Sequence, residues 1–170
     1  MRIIAATVLL LASFTAGALD LKGVSPGQPW EPQVIQNKFR VDWRGSLVRF
    51  ENDWPFTCGS YCGGGFASYG TCPGLTSVQP TTDKKTVDYI YVKLDVSCFD
   101  EVLALMEQKF GLNATVVRQT KQNGYGARFE DIVLTWVEGD QTLIFEKYQD
   151  ANHSSISLHG PEKPVEKGTL

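Results

Sequence analysis

The chain has 170 residues, of which 42% are hydrophobic and 21% charged, and its formal net charge at pH 7 is −3. This length is within the usual range of a single globular domain. The absence of any run of Lys or Arg argues against nucleic acid or anionic lipid as a partner, because those ligands require a basic surface.

The N-terminus has the three-part pattern of a secretory signal peptide. Arg2 supplies the positive charge, residues 3–12 form an apolar run, and the small residues 16–18 suit signal-peptidase cleavage. The alternative, a membrane anchor, requires about 20 apolar residues, whereas Ser13 and Asp20 interrupt the run too early. We therefore predict cleavage near Ala18 and a periplasmic or secreted protein.

The predicted organisation is a signal peptide over residues 1–18, a single domain over 19–160 and a flexible tail over 161–170. No stretch after residue 18 is apolar enough to predict a membrane span in the mature chain. At the start of the domain, Pro32 favours a short helix over residues 32–39. Two short strands, 40–43 and 46–50, are predicted to follow it.

Residues 51–80 have neither helical nor strand periodicity, which predicts a long irregular loop. The segment carries six glycines and three cysteines, a composition that is wrong for disorder. Aromatic side chains that a disulfide holds in place lose little entropy on binding and often anchor protein interfaces. The predicted binding residues are Trp54, Phe56, Tyr61, Phe66 and Tyr69. The alternative is that these rings pack inward beneath their own loop.

The four cysteines, Cys58, Cys62, Cys72 and Cys98, are predicted to form two disulfides, because an exported chain with an even number of cysteines is usually oxidised. Their spacing lacks the paired C-x2-C of common structural zinc sites, so we predict no metal site. Four cysteines allow three pairings, and the sequence does not choose among them.

The second half of the chain shows clear periodicity. Residues 98–110 place apolar side chains at helical spacing, with Ser97 and Asp100 fitting a capping box and Gly111 following the last turn. Alternating apolar residues predict five strands, namely 87–94, 113–119, 128–137, 141–148 and 154–159. The predicted class is α+β: an antiparallel sheet of four to six strands with one amphipathic helix packed on one face, plus the disulfide-held irregular loop.

Two functions are consistent with these features. The first is a protein-binding or inhibitor-like accessory module that presents the aromatic loop to another envelope or extracellular protein. The alternative is a hydrolase or thiol enzyme in which Cys98, at a helix start, acts with His153 or His159. No sequence motif predicts a cofactor or a catalytic residue, and a disulfide is the simpler role for Cys98.

Four short sequences carry a resemblance to a known group of proteins. They are residues 21–24 (LKGV), 109–111 (KFG), 134–136 (LTW) and 154–158 (SSISL). In these the chain resembles small exported α+β proteins of Gram-negative bacteria that have no assigned activity. The resemblance implies a periplasmic setting and an α+β domain, and it implies no catalytic residue.

Overall fold

The computed structural model describes residues 18–39, 56–122 and 124–161. Several predictions lie outside the described residues: the signal peptide up to residue 17, the strands at 40–43 and 46–50, and the tail from residue 162.

In the described part of the chain, two α-helices and eight strands follow one another. The helices are α1 (Pro32–Phe39) and α2 (Phe99–Phe110), and a 3-10 turn over Val96–Cys98 precedes α2. The strands are β1 (Thr57–Cys58), β2 (Cys62–Tyr69), β3 (Cys72–Pro80), β4 (Val87–Asp95), β5 (Thr115–Gln122), β6 (Arg128–Glu138), β7 (Gln141–Asp150) and β8 (His153–His159). None of the described helices is long and apolar enough to cross a membrane.

The strands form one antiparallel sheet in the order β1-β2-β3-β4-β8-β7-β6-β5. Each half is a run of four consecutive strands joined by short turns, and α2 connects the two halves. Because β4 pairs with β8, the last strand of each half lies at the centre of the sheet.

One face of this sheet is covered by α2. Phe99, Val102 and Met106 of α2 are buried, and the Phe99 ring centroid lies 4.7 Å from that of Phe145 on β7. The central strands supply alternate buried residues to the same core, among them Val92 of β4. We call the opposite side of the sheet, which no described element covers, the open face.

The sequence prediction is confirmed at the C-terminal end of α2 and is wrong at its N-terminal end. Gly111 ends the helix with a φ of 86°, a conformation that favours glycine, as predicted. The predicted capping box is wrong, because the residue before α2 makes no side-chain cap. Instead Asp95 accepts hydrogen bonds from the N–H and hydroxyl of Ser97 at 2.9 and 2.6 Å, and so caps the 3-10 turn.

The predicted α+β class, with four to six strands, one helix and an irregular loop, is wrong. The described residues form predominantly a single eight-stranded antiparallel sheet, with helices of only 8 and 12 residues. The error lies mainly in residues 51–80, whose described part forms β1, β2 and β3. Periodicity missed these strands because several of their inward positions carry small residues, namely Gly65, Ala67, Gly74 and Thr76, instead of large apolar ones.

Candidate binding surface

The four cysteines form two disulfides, Cys58–Cys62 and Cys72–Cys98. The first closes the β1–β2 hairpin, since its two residues also pair across the strands. The second links the first residue of β3 to the turn that precedes α2. The prediction of disulfide bonds is therefore confirmed, and such bonds are compatible with an extracellular or periplasmic protein.

Two of the five predicted binding residues lie in the core. Phe56 is only 1% exposed, and its ring centroid lies 5.0 Å from that of Phe39 on α1. Tyr69 is 6% exposed, its hydroxyl lies 3.2 Å from Thr76 Oγ1, and burial raises the pKa of its phenol above the ordinary value. These two side chains therefore fit the alternative of inward packing.

Two other predicted residues are exposed. Tyr61 is 54% exposed in the turn that the Cys58–Cys62 disulfide closes, and Phe66 is 38% exposed on β2. Phe66 alternates with buried residues along its strand, so its ring points to the open face. The fifth predicted residue, Trp54, lies outside the described residues.

Several inward-facing residues of β2 and β3 are small, and at Gly74 the reason is that side chains of the neighbouring strand β4 fill the space beneath it. A Cβ added at Gly74 would lie 2.6 Å from Val92 Cγ1 and 2.8 Å from Leu94 Cδ2, which is closer than real Cβ contacts. Opposite Gly74 on β2 stands Ala67, which is also buried. The usual pattern of large residues inside and small ones outside is thus inverted at these paired positions, although Tyr69 and Val78 point inward elsewhere on the two strands.

The residue that sequence reasoning missed is Leu75. It is the cross-strand partner of Phe66 and, like Phe66, is 38% exposed. Directly opposed side chains on one sheet face have Cβ atoms about 5 Å apart, so the two apolar groups form one patch. The alternation Gly74-Leu75-Thr76 beside Gly65-Phe66-Ala67 is the signal that could have identified a strand pair with large residues on one face.

A groove of about 370 Å³ adjoins this patch. Phe66, Leu75 and Pro73 form its apolar side, while Lys93 and His153 lie on the other side. Asp95 also lines the groove, and Lys93 and His153 are held by Asp150, whose carboxylate is 3.0 Å from Lys93 Nζ and 2.7 Å from His153 Nδ1. The arrangement offers an apolar contact beside fixed polar groups.

The geometry of Cys98 bears on the enzyme alternative. Cys98 is bonded to Cys72, and none of the four cysteines is a free thiol. His153 contacts Asp150, and the ring centroid of His159 lies 4.7 Å from that of Tyr89. In this oxidised form, Cys98 is not available as a nucleophile for either histidine.

Comparison with protein-family models, with curated proteins and with solved structures finds no match for this chain.

Proposed function

We propose that this protein is an exported protein-binding module whose contact surface is the open face of β2 and β3. We call this surface the Phe66 patch; it comprises Phe66, Leu75 and Pro73, with the adjoining groove. The observation that carries the proposal is the pair of opposed, half-exposed apolar residues, Phe66 and Leu75, whose buried neighbours Ala67 and Gly74 are small.

Folding alone does not account for these two side chains. The core beneath β2 and β3 is complete without them, since its inward positions are filled by Ala67, Thr76 and Val78. Large apolar groups that meet on an exposed surface are the usual anchors of protein interfaces, in which a few aromatic and aliphatic residues supply most of the binding energy.

The disulfides support the proposal by fixing the patch in place. Cys58–Cys62 closes the hairpin that leads into β2, and Cys72–Cys98 ties the start of β3 to the helix layer. A side chain that is already held in its bound position loses little conformational entropy on association. The rigid strands would therefore present Phe66 and Leu75 to a partner at low entropic cost.

The polar side of the groove supports a protein as the partner. An interface needs polar groups that fix orientation around an apolar centre. Lys93 and His153 supply such groups, and their shared contact with Asp150 holds them in position. The partner that fits is an envelope or extracellular protein with an exposed apolar side chain flanked by polar groups. The predicted signal peptide and the two disulfides support an encounter outside the cytosol.

The test uses a photo-crosslinking phenylalanine analogue placed at position 66 in the exported protein. The same analogue at Leu112, which is 82% exposed and lies after α2, serves as the control. We expect a discrete crosslinked partner from position 66 and not from position 112. Equal crosslinking at both positions would mean that the contacts are nonspecific and that the patch is not the interface.

Substitutions then measure the contribution of the patch to that interaction. Phe66→Ser and Leu75→Ser should each lower capture of the crosslinked partner by tenfold or more, whereas Leu112→Ser should leave it unchanged, since anchor residues are typically worth about 2 kcal/mol or more. A melting curve for each variant must accompany the capture assay. Loss of capture with an unchanged melt supports the proposal, and unchanged capture contradicts it.

A further inference from the structure

A second cavity lies on the side of the sheet that α2 covers, whereas the Phe66 patch lies on the open face. It has a volume of about 350 Å³ and opens between the N-terminal segment, α1, the β2–β3 turn and α2. We call it the lysine groove. Its apolar lining consists of Leu21, Val102, Leu105 and Met106, and its cations are Lys22, Lys38 and Lys109.

Two of the lysines are fixed by contacts with the N-terminal segment. Lys109, in the last turn of α2, donates to the carbonyl of Asp20 at 3.0 Å and to its carboxylate at 2.6 Å. Lys38, in the last turn of α1, donates to the carbonyl of Gly23. These bonds hold the two helix ends and the N-terminal segment around a common opening.

The third lysine of the groove contacts an aromatic ring. Lys22 Nζ lies 5.8 Å from the centroid of the Tyr69 ring, which also lines the groove. The backbone at Lys22 has a φ of 55° and the next residue, Gly23, has a φ of 72°. This left-handed pair of residues turns the chain so that Lys22 and Lys38 line the same cavity.

The described residues that line the groove are more basic than acidic. Lys22, Lys38 and Lys109 carry ammonium groups and Asp20, which is paired with Lys109, carries a carboxylate. A lysine ammonium has three N–H donors, and the hydrogen bond described for Lys38 uses one of them. A negatively charged group at the opening would therefore meet both a favourable field and available donors.

The apolar lining restricts what that anion can be. Met106 and Val102 are buried side chains of α2 that face the cavity, and Leu21 is buried in the N-terminal segment. A volume of this size falls in the range of small-molecule sites, which combine apolar walls with a few polar groups that set orientation. Inorganic phosphate would contact the lysines but would bury no apolar surface against these side chains.

We propose that the lysine groove binds a small amphipathic anion: a single carboxylate at the lysines with an aliphatic body against Leu21, Val102, Leu105 and Met106. A medium-chain fatty acid is the simplest ligand of this chemistry. Lysine suits it, because a compact ammonium acts as a point charge and does not require the two-pronged geometry of arginine. The site is independent of the Phe66 patch, so each proposal can fail without the other.

The first experiment uses the methionine methyl as a reporter. The chain has two methionines, Met1 and Met106, and Met106 lines the groove. We would label methionine methyl groups with carbon-13 and titrate decanoate below its micellar concentration. A saturable shift of the Met106 methyl signal is expected. Nonyltrimethylammonium, which has the same nine-carbon alkyl chain and the opposite charge, and inorganic phosphate are expected to leave the signal unchanged.

Three results of that titration would overturn the proposal. No shift with decanoate would mean that the groove does not take the ligand. An equal shift with the alkyl cation would mean that the lysines contribute nothing. A shift with phosphate as large as that with decanoate would mean that the groove takes an anion without an apolar body.

The second experiment uses calorimetry to measure how much the lysines and the apolar lining each contribute to decanoate binding. Lys22→Gln combined with Lys38→Gln should weaken decanoate binding by roughly tenfold or more, on the scale of two partly exposed ion pairs, and Leu105→Ala should weaken it as well. The matched control is Lys85→Gln, whose side chain is 80% exposed at the β3–β4 turn and which should bind decanoate normally. Equal losses in the control and the groove variants would overturn the proposal. The methyl titration tests it without any substitution, should a variant fold poorly.

Discussion

Phe66 on β2 and Leu75 on β3 stand directly opposite each other on the open face, while their neighbours Ala67 and Gly74 are paired and buried. At these paired positions the larger side chains point away from the core. The inversion follows from the position of Val92 and Leu94, which leave no room for a Cβ at Gly74. The crowding beneath Gly74 therefore restricts the inward position to a residue without a side chain, while the outward positions beside it carry the large apolar residues of the patch.

The two disulfides should differ in their contribution to stability, because they close loops of different length. Cys72–Cys98 spans 26 residues and Cys58–Cys62 spans 4. Chain entropy then predicts losses of about 3.5 and about 2 kcal/mol, respectively, when each pair is replaced by alanine. Urea unfolding of the two double variants would measure the difference. Equal losses, or a larger loss for the short loop, would contradict the entropic account.

Trp136 is expected to be among the most costly residues to truncate. It is 3% exposed, its ring lies against Phe110, and its indole N–H donates to the carbonyl of Gly111 at 3.0 Å. Trp136→Ala should cost about 3–5 kcal/mol. Val137→Ala, at the next position but on the open face, is the matched control and should change stability by less than about 1 kcal/mol. Similar losses for the two variants in urea unfolding would show that the face assignment is wrong.

The parts of the fold that the sequence predicted are those with a strong hydrophobic period. The helix stripe with Val102 and Met106 and the β6–β7 hairpin around Gly139 are confirmed. Their buried positions carry large apolar residues, so the period of burial is visible in the sequence. Several buried positions of β2 and β3 carry small residues such as Gly65 and Ala67. Burial therefore alternates along these strands, but the hydrophobicity of the sequence does not.

The candidate site was only partly predictable for a related reason. The predicted aromatic set mixes rings from both faces, since Phe66 is exposed and Tyr69 is buried. Sequence composition shows that a segment is rich in aromatic residues, but the sheet face to which each ring points depends on the position of its residue in the strand. Leu75 could be recognised only after its pairing with Phe66 was known. The lysine groove draws Lys22, Lys38 and Lys109 from three separate segments, and no local motif brings such residues together.

Gly74→Ala should destabilise the fold even though it adds only one methyl group. The new Cβ would meet Val92 and Leu94 at distances below 3.0 Å, so the packed side chains would have to move. Overpacking of this kind typically costs about 1–3 kcal/mol. Gly124→Ala is the control, because nothing lies within 4 Å of its added Cβ and its φ is not in the left-handed region. Thermal melts that show no difference between the variants would contradict the packing around Gly74.

Asp131 should make stability depend on pH in the acid range. The residue is fully buried, and burial opposes its ionisation, but hydrogen bonds from Gln119, Lys121 and the Tyr148 N–H outweigh burial and lower the pKa. Because the folded pKa is below the unfolded one, the stabilisation is complete above about pH 4 and is lost as the pH falls toward the folded pKa.

Asp131→Asn tests this contribution, since it keeps the shape of the side chain and removes the titration. At neutral pH the variant should lose about 1–3 kcal/mol, the scale of hydrogen bonds to a charged group. The gap between the two proteins should narrow as the pH is lowered below about 4, because the unfolded wild-type chain then binds a proton at Asp131 that the folded protein takes up only at a lower pH. Unfolding free energies across the acid range would measure it. A gap of constant size would exclude Asp131 as the source of the pH dependence.

The exposed ring of Phe66 and the buried ring of Tyr69 should contribute very differently to stability. Tyr69→Ala should lower the free energy of unfolding by about 3–5 kcal/mol, because it removes a buried ring and leaves a cavity. Phe66→Ala should change it by less than about 1 kcal/mol, since a half-exposed ring contributes little to the core. Tyr69→Phe isolates the hydroxyl, whose contact with Thr76 at 3.2 Å predicts a smaller loss of about 1 kcal/mol. Urea unfolding of the three variants decides the matter: if Phe66→Ala is as costly as Tyr69→Ala, the ring at position 66 belongs to the core and is not available as a binding anchor.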